Sequence, residues 1–321
     1  MGRKISLYVV IGLAVFATIV SFRAARHEAR AEAEYPPIGQ FVDMGGVRVH
    51  AVVMGPDDGS VPDVVLIHGA SGNLRDMTFS LAPRLAERYR VIAFDRPGLG
   101  YTDRINTTGA TIVQQADLLA RAAAELGADK PIVMGTSYGG AVALAWAVHN
   151  PGNISALVPV AAPSLPWDTP LDPFYRVTSS RLGAAFVVPM ITAFVPDSRI
   201  RQTIRSIFDP QAVPDGYADY VGAGLTLRRD TLRANADQRA GILDEIKALE
   251  PHYDTLTLPI ELVHGTADTT VGNSIHSARL VDRIESANLT TLEGIGHMPH
   301  HVSEDAVIDA IDRAASRAGL R

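Results

Sequence analysis

Cysteine is absent from this chain of 321 residues, which excludes disulfide bonds, thiolate metal ligands and a cysteine nucleophile. An excess of basic residues is also absent: the formal net charge is -6, and no nucleic-acid partner is expected. The chain has no internal repeat, no phosphate-binding P-loop and no glycine signature of a dinucleotide site, so no cofactor is predicted. The composition, with 47% hydrophobic and 20% charged residues, is typical of one large globular domain with additions. Composition leaves the oligomeric state open.

The most informative stretch is residues 135–139, which read Gly-Thr-Ser-Tyr-Gly and fit the pattern G-x-S-x-G. An apolar run, 131–134, precedes it, and an alanine-rich helical run, 141–148, follows it. This strand–turn–helix context is the one in which a nucleophile elbow exposes its serine at the end of a sheet strand. Alone the pattern is weak, because glycine and serine are common in ordinary turns.

Four further strand patterns each end in a turn that carries polar residues. The runs 62–67, 90–94, 258–263 and 287–292 are followed by His-Gly, Asp-Arg-Pro-Gly-Leu-Gly, His-Gly-Thr-Ala-Asp and Gly-Ile-Gly-His-Met-Pro. With the elbow, these motifs in this order resemble the α/β-hydrolase superfamily from about residue 38 to 318. The resemblance implies a mostly parallel sheet flanked by helices, with a helical cap inserted over the site. It does not name the substrate, because the superfamily hosts many reactions.

The resemblance implies a catalytic triad in the order serine, aspartate, histidine. Ser137 is the expected nucleophile, His297 the base and Asp268 the acid that orients the imidazole. The alternative for Asp268 is an ordinary turn aspartate, and the next carboxylate to consider after the preceding strand is Asp168. His300 is expected in or near the following helix, and a metal site formed with His297 is not expected.

The oxyanion hole of such a site needs two backbone donors. The elbow supplies the N–H of Tyr138, and the His-Gly turn supplies the second, for which Ala70 is preferred over Ser71. His68 and His264 precede glycines at strand ends and are interpreted as turn-stabilising residues.

The chain is divided into four segments by pattern. Residues 1–34 are an anchor and charged stalk, 35–162 and 254–321 are the two parts of the hydrolase core, and 163–253, rich in proline, are the helical cap segment. An opening hairpin is expected over 40–54. Helices are expected over 74–88, 111–126, 139–149, 273–285 and 303–318. Cap aromatics are interpreted mostly as packing residues; they are Trp167, Phe174, Tyr175, Phe186, Phe194 and Phe208.

The amino terminus carries an uncharged, mostly apolar run, 5–22, which as a helix would be about 27 Å long and would span a bilayer core. The rival interpretation is a cleaved signal peptide, with Arg3 and Lys4 as its basic start and a cleavage site near Ala33. A single-pass anchor with the catalytic domain outside the cytoplasm is preferred, although basic residues flank both ends of the run. Residues 23–34 are expected to form a solvated helical stalk.

These features together predict a membrane-anchored serine hydrolase of a carboxylic ester or related acyl compound, of the carboxylesterase or lipase type. Its partners would be a small acyl substrate, water and the membrane. Hydrolysis of a carbon–carbon bond, acyl transfer and a cofactor-free peroxidase-like reaction stay open as alternatives. A non-catalytic binding protein of the same fold is the alternative from a different class.

Overall fold

The computed structural model describes the backbone of residues 2–321 and the side chains from Tyr8 onward. The side chains of Arg3 and Lys4, on which the signal-peptide interpretation partly depends, therefore lie outside the described residues. A single helix, α1 (Gly2–Glu34), begins the chain. Among the described residues it alone, over Tyr8–Glu34, is long and apolar enough to cross a membrane, by length and composition only.

One eight-stranded sheet forms the centre of the molecule, in the order β1-β2-β4-β3-β5-β6-β7-β8. The first three strands in this order pair antiparallel, and the remaining strands are parallel. The strands are β1 (Gln40–Asp43), β2 (Arg48–Met54), β3 (Asp63–Ile67), β4 (Arg90–Phe94), β5 (Ile132–Thr136), β6 (Ala156–Val160), β7 (Ile260–Gly265) and β8 (Ala287–Leu292). The predicted hairpin and mostly parallel sheet are confirmed.

Helices cover both faces of this sheet. Those after α1 are α2 (Arg75–Thr78), α3 (Leu81–Leu85), α4 (Ile112–Glu125), α5 (Tyr138–His149), α6 (Pro173–Thr178), α7 (Val188–Phe194), α8 (Asp197–Phe208), α9 (Tyr217–Tyr220), α10 (Arg229–Leu249), α11 (Ser277–Leu280), α12 (Pro299–Val302) and α13 (Glu304–Arg317). Because side chains alternate along a strand, Val65 and Ile67 pack with α4 and α5, while Val64 and Leu66 pack with α3 and α13. Strands buried on both faces explain the continuous apolar runs.

Two predicted helices are shorter than expected. The helix predicted over 74–88 is divided into α2 and α3, because Ser80 has an extended φ of -146° and its hydroxyl bonds to Glu304. The helix predicted over 273–285 is reduced to α11, which begins only after His276. The His276 ring accepts hydrogen bonds from the backbone N–H groups of Ser164 and Leu165. This tertiary contact outweighs the helical propensity of the residues before α11.

The cap segment contains α6 to α10, and its aromatic residues differ in their surroundings. Phe208 is buried against Tyr217, and Trp167 packs edge-on to His276. The packing interpretation is wrong for three others, which are exposed apolar side chains: Phe174, Phe186 and Phe194. Helical spacing predicted their secondary structure but not the direction in which they point.

The second half of α1 is docked on the cap segment, so the expectation of a solvated stalk is wrong. Ala24 and Ala31 are buried, and a Cβ added to Gly224 would lie 3.2 Å from the Cβ of Ala31. Glu28 accepts from the Arg229 guanidinium and from the Arg229 backbone N–H at 2.9 Å. Glu28 is thus paired with a residue of the cap segment.

Candidate active site

The elbow places Ser137 between β5 and α5, with φ 51° and ψ -124°. A non-glycine residue with positive φ is strained, and the close approach of the surrounding backbone holds it there. A Cβ at Gly135 would lie 2.2 Å from the Gly139 carbonyl oxygen, and one at Gly139 would lie 2.3 Å from the Ile67 oxygen. Only glycine fits at these two positions, so the pattern G-x-S-x-G follows from the local geometry.

The structure brings the three predicted triad residues together at the carboxyl ends of neighbouring strands. The His297 Nε2 atom lies 2.9 Å from Ser137 Oγ, and its Nδ1 atom lies 2.7 Å from Asp268 Oδ2. Asp268 follows β7, and His297 follows β8. Asp168, the alternative acid, is exposed on the surface.

Asp268 is held in one orientation by its backbone surroundings. Its Oδ1 atom accepts the N–H groups of Thr270 and Val271 at 2.8 and 2.9 Å, while Oδ2 faces His297 and, at 3.2 Å, His264 Nε2. Burial alone would raise the pKa of Asp268. Hydrogen bonds from His264 and His297, together with the charge on His297, outweigh burial and lower the pKa of Asp268 below its ordinary value. The carboxylate is therefore ionised when it faces the imidazole.

His264 has a role that the sequence did not reveal. Its Nε2 atom lies 2.8 Å from the Val271 carbonyl and must donate there, and its Nδ1 atom bonds to Ser277. The ring thus joins β7 to the loop that carries Asp268, besides stabilising its own turn.

The turn after β3 directs the N–H of Ala70 away from a buried arginine. Arg96 Nη2 donates to the Gly69 carbonyl at 3.0 Å, and His68 Nδ1 donates to the same oxygen at 2.8 Å. Because the C=O and N–H of a trans peptide point in opposite directions, fixing the Gly69 oxygen fixes the Ala70 N–H on the other side. Within residues 2–321, neither this N–H nor that of Tyr138 donates to an acceptor.

Arg96 also contacts the second expected donor residue. Its guanidinium lies over the Tyr138 ring at 4.3 Å and donates to Gln115 and Gln238. Burial lowers the pKa of Arg96 to about 10, which still leaves it protonated near neutral pH. One buried cation therefore links the two segments that carry Ala70 and Tyr138.

Ser71, the less favoured donor, is bound by the cap instead. Its N–H donates to Asn235 Oδ1 at 2.8 Å, and Asn235 Nδ2 lies 2.9 Å from its hydroxyl. Thr226 donates to the Ser71 carbonyl. The Ser71 N–H is thus occupied, and α10 holds the loop beside Ala70.

A second buried histidine–aspartate network lies behind the elbow. Asp76 accepts from His301 Nε2 at 2.8 Å and from Tyr217 at 2.7 Å, and His300 links it to Thr136. The ligand atoms of Asp76, His300 and His301 lie within 4.8 Å of one another, which is close enough to hold a cation. Both Asp76 oxygens already have protein donors, whereas His301 Nδ1 has no hydrogen-bond partner within the described residues.

Three comparisons with known proteins bear on this site. A family model described as "Alpha/beta hydrolase family" matches residues 64–310. The dihydrolipoyllysine-residue acetyltransferase component of the acetoin cleaving system of Cupriavidus necator is 37% identical over 122 residues, which is 38% of this chain. The chain spans only 31% of that relative's length.

Two solved structures share the fold. The 2-hydroxy-6-oxo-6-phenylhexa-2,4-dienoate hydrolase of Rhodococcus sp. strain RHA1 has a TM-score of 0.70 and 21% identity, covering 86% of this chain and 98% of that one. A structure described as a membrane phospholipase A and bacterial virulence factor has a TM-score of 0.64 and 20% identity. That likeness covers 98% of this chain and 99% of the other, so it includes most of α1.

Proposed function

Because the chain belongs to the alpha/beta hydrolase family, we propose that it is a serine hydrolase that cleaves a carboxylic ester or a related acyl compound. The observation that best supports this proposal is the chain of hydrogen bonds from Ser137 Oγ through His297 to Asp268. A serine hydroxyl is a weak nucleophile at neutral pH, and a base within hydrogen-bond reach activates it.

In the first half-reaction, Ser137 Oγ attacks the ester carbonyl carbon while its proton moves to His297 Nε2. Asp268, 2.7 Å from Nδ1, stabilises the imidazolium that forms. The tetrahedral intermediate then collapses, the carbon–oxygen bond to the leaving alcohol breaks, and His297 returns the proton to that alcohol. An acyl-enzyme on Ser137 results.

The negative charge of the tetrahedral intermediate needs donors that are already oriented. We assign this role to the N–H groups of Ala70 and Tyr138, neither of which has an acceptor within the described residues. Their orientation needs no rearrangement during the reaction, since Arg96 fixes the Gly69–Ala70 peptide from behind.

In the second half-reaction, water replaces the alcohol. His297 takes a proton from the water, the hydroxide attacks the acyl carbon, and the bond to Ser137 Oγ breaks as His297 returns the proton to it. The products are a carboxylic acid and the free enzyme, so the cycle needs no cofactor.

Carbon–carbon bond hydrolysis is the nearest alternative, since the Rhodococcus hydrolase shares the fold. Ester cleavage is preferred because the apolar helix α1 and the membrane phospholipase neighbour both suit a lipid-like acyl substrate. Dehalogenation and epoxide opening are disfavoured, because such relatives use an aspartate where this chain has Ser137.

We further propose that α1 is a retained single-pass anchor, with the catalytic domain outside the cytoplasm. The docking of its second half supports retention over cleavage. A cut near Ala33 would remove Glu28 and Ala31, both of which contact the cap segment. A signal peptide has no need of such contacts.

Labelling with a fluorophosphonate probe tests the nucleophile. The full chain should become covalently labelled, and Ser137→Ala should lose labelling and ester turnover together. Ser164→Ala is the matched control, because Ser164 is buried at the same edge of the sheet and its hydroxyl has no hydrogen-bond partner among the residues that the structure describes. Full labelling of Ser137→Ala would refute the mechanism, whereas labelling of the native chain without turnover on any ester would favour the carbon–carbon alternative.

A further inference from the structure

The outer surface of the cap segment is apolar where it lies beside α1. Residues 181–194 form a continuous helical run, in which Gly183–Val187 is a π-helical turn and Val188–Phe194 is α7. Its inward side, with Val188 and Thr192, is buried. Its outward side we call the apolar cap face; it consists of Leu182, Phe186, Val187, Met190 and Phe194.

This face has the reverse polarity of an ordinary surface helix. From residue 182 to 194 every exposed side chain is apolar, and Leu182 and Phe186 are 73% and 68% exposed. A solvated helix normally presents charged residues on this side. Contiguous exposed apolar patches mark sites that contact a protein or a membrane.

The position of the face relative to α1 identifies its partner. Ala193 is packed with Val20 and Ala24 of α1. Arg23 donates to the Ala193 carbonyl at 3.2 Å, and its guanidinium lies 4.7 Å from the centre of the Phe194 ring. Arg23 is the first charged residue after the apolar run 5–22, so it marks the level at which α1 leaves the hydrocarbon.

The run 183–194 is about 18 Å long, and its Phe194 end lies at that level, against Arg23. We propose that the apolar cap face is inserted into the leaflet from which α1 emerges, where its side chains contact lipid acyl chains. A short apolar helix of this length is typical of an interfacial segment. The inference rests on the proposed anchor, and it adds a second membrane contact, on the cap itself.

Lipid contact at the cap would hold an acyl hydrolase close to the lipid esters of that leaflet. Arg181, exposed at the start of the run, adds a positive charge suited to anionic headgroups. Contact with lipid acyl chains beside α1 thus explains why Leu182 and Phe186 are about seven-tenths exposed in the isolated chain.

The absence of native cysteine allows a direct test. An environment-sensitive fluorophore is attached to Phe186→Cys in the full chain, which is reconstituted in vesicles of phosphatidylethanolamine and phosphatidylglycerol. Leu13→Cys, 64% exposed within the apolar run of α1, is the hydrocarbon reference. Leu320→Cys, 38% exposed near the carboxyl terminus, is the matched apolar residue away from α1. Leu182→Cys repeats the test at a second exposed position.

Nitroxide-labelled acyl chains should quench the labels at positions 186, 182 and 13, and aqueous iodide should quench only the label at 320. If positions 186 and 182 behave like 320 while 13 is quenched by lipid, the insertion is refuted and the anchor stands. If position 13 is also quenched only by iodide, the anchor and the insertion are both wrong. Pyrene excimers at position 186 that increase with protein density would show a second copy on the face and would likewise refute lipid insertion.

Discussion

Replacing Asp268 by asparagine tests whether this residue orients His297. Asparagine has nearly the same shape, but its side chain has one oxygen and one NH2 group. The structure decides which end faces the imidazole: the N–H groups of Thr270 and Val271 at 2.8 and 2.9 Å require an oxygen at the Oδ1 position. The amide NH2 must then occupy the Oδ2 position.

That NH2 group would donate to His297 Nδ1, from which Asp268 is now 2.7 Å distant. The imidazole would adopt the tautomer with its proton on Nε2, which faces Ser137 and then has no lone pair to accept the serine proton. The imidazolium would also lose its counter-charge. Two unit charges 2.7 Å apart attract by about 6 kcal/mol at an effective dielectric constant near 20. A rate loss of about 10⁴-fold, or about 5.4 kcal/mol, is consistent with these effects.

The assay is kcat and KM for a water-soluble ester, measured on the full chain in detergent. We expect kcat to fall about 10⁴-fold while KM changes little, because the substrate does not touch Asp268. Asp168→Asn is the control, since this exposed residue was the alternative acid, and it should leave kcat unchanged. A loss of less than tenfold in Asp268→Asn, with folding intact by circular dichroism, would refute the assigned role.

Two other predictions concern the cap and the anchor. Asn235→Ala should lower kcat about tenfold to hundredfold with a small change in KM, because the Ser71 N–H and hydroxyl, beside the Ala70 donor, both lose their hydrogen bonds to Asn235. Unchanged kcat would contradict this, and Asn235→Asp should restore part of the loss. Removal of 1–19, which keeps the buried Val20, should leave the free energy of unfolding unchanged, whereas removal of 1–34 should lower it by about 1–2 kcal/mol, because α10 then loses the Glu28 carboxylate at its first turn. Equal melting temperatures for the two truncated chains would show that the docked half of α1 contributes nothing.

The sheet and the position of the candidate site could be predicted because their signals are local. Each strand is a short apolar run, and glycines mark the turn after it, as in the elbow around Ser137. Parallel strands then bring these turns to one edge, whatever lies between them. Strand ends, together with the resemblance, therefore predict that three residues separated by up to 160 positions lie close together.

The contacts that support the site could not be predicted, because they join residues that are far apart in the sequence and become neighbours only when the chain folds. Asn235 lies 164 positions from Ser71, and nothing in a polar helix residue indicates which loop it will hold. The network of Asp76 with His300 and His301 spans 224 and 225 positions. A buried arginine such as Arg96 also has no sequence signal, since burial of its charge depends on carbonyls from other turns.

The wrong expectation of a solvated stalk has the same cause, and its correction gives the second half of α1 a structural role. A segment rich in Ala, Arg and Glu predicts a helix but not whether its charges face water or another helix. Here the Glu28 carboxylate accepts the N–H of Arg229, the first residue of α10, and so acts as an external cap where the preceding residue supplies none. Asn235 lies six residues further along α10, about 9 Å away, and holds Ser71.

One helix thus connects α1 to the loop of the expected oxyanion donor. Within the described residues, Ser137, His297 and Asp268 form no hydrogen bond to α1, and their partners lie on the sheet turns. A shift of α1 would therefore act on the Ala70 side of the site before it reached the triad. Such a shift would weaken the stabilisation of the transition state by the Ala70 N–H, while the hydrogen bond between Ser137 and His297 stayed intact. An amino-terminal helix that is joined to the catalytic domain only by a flexible linker has no such route, and the Glu28–Arg229 contact distinguishes α1 from that arrangement.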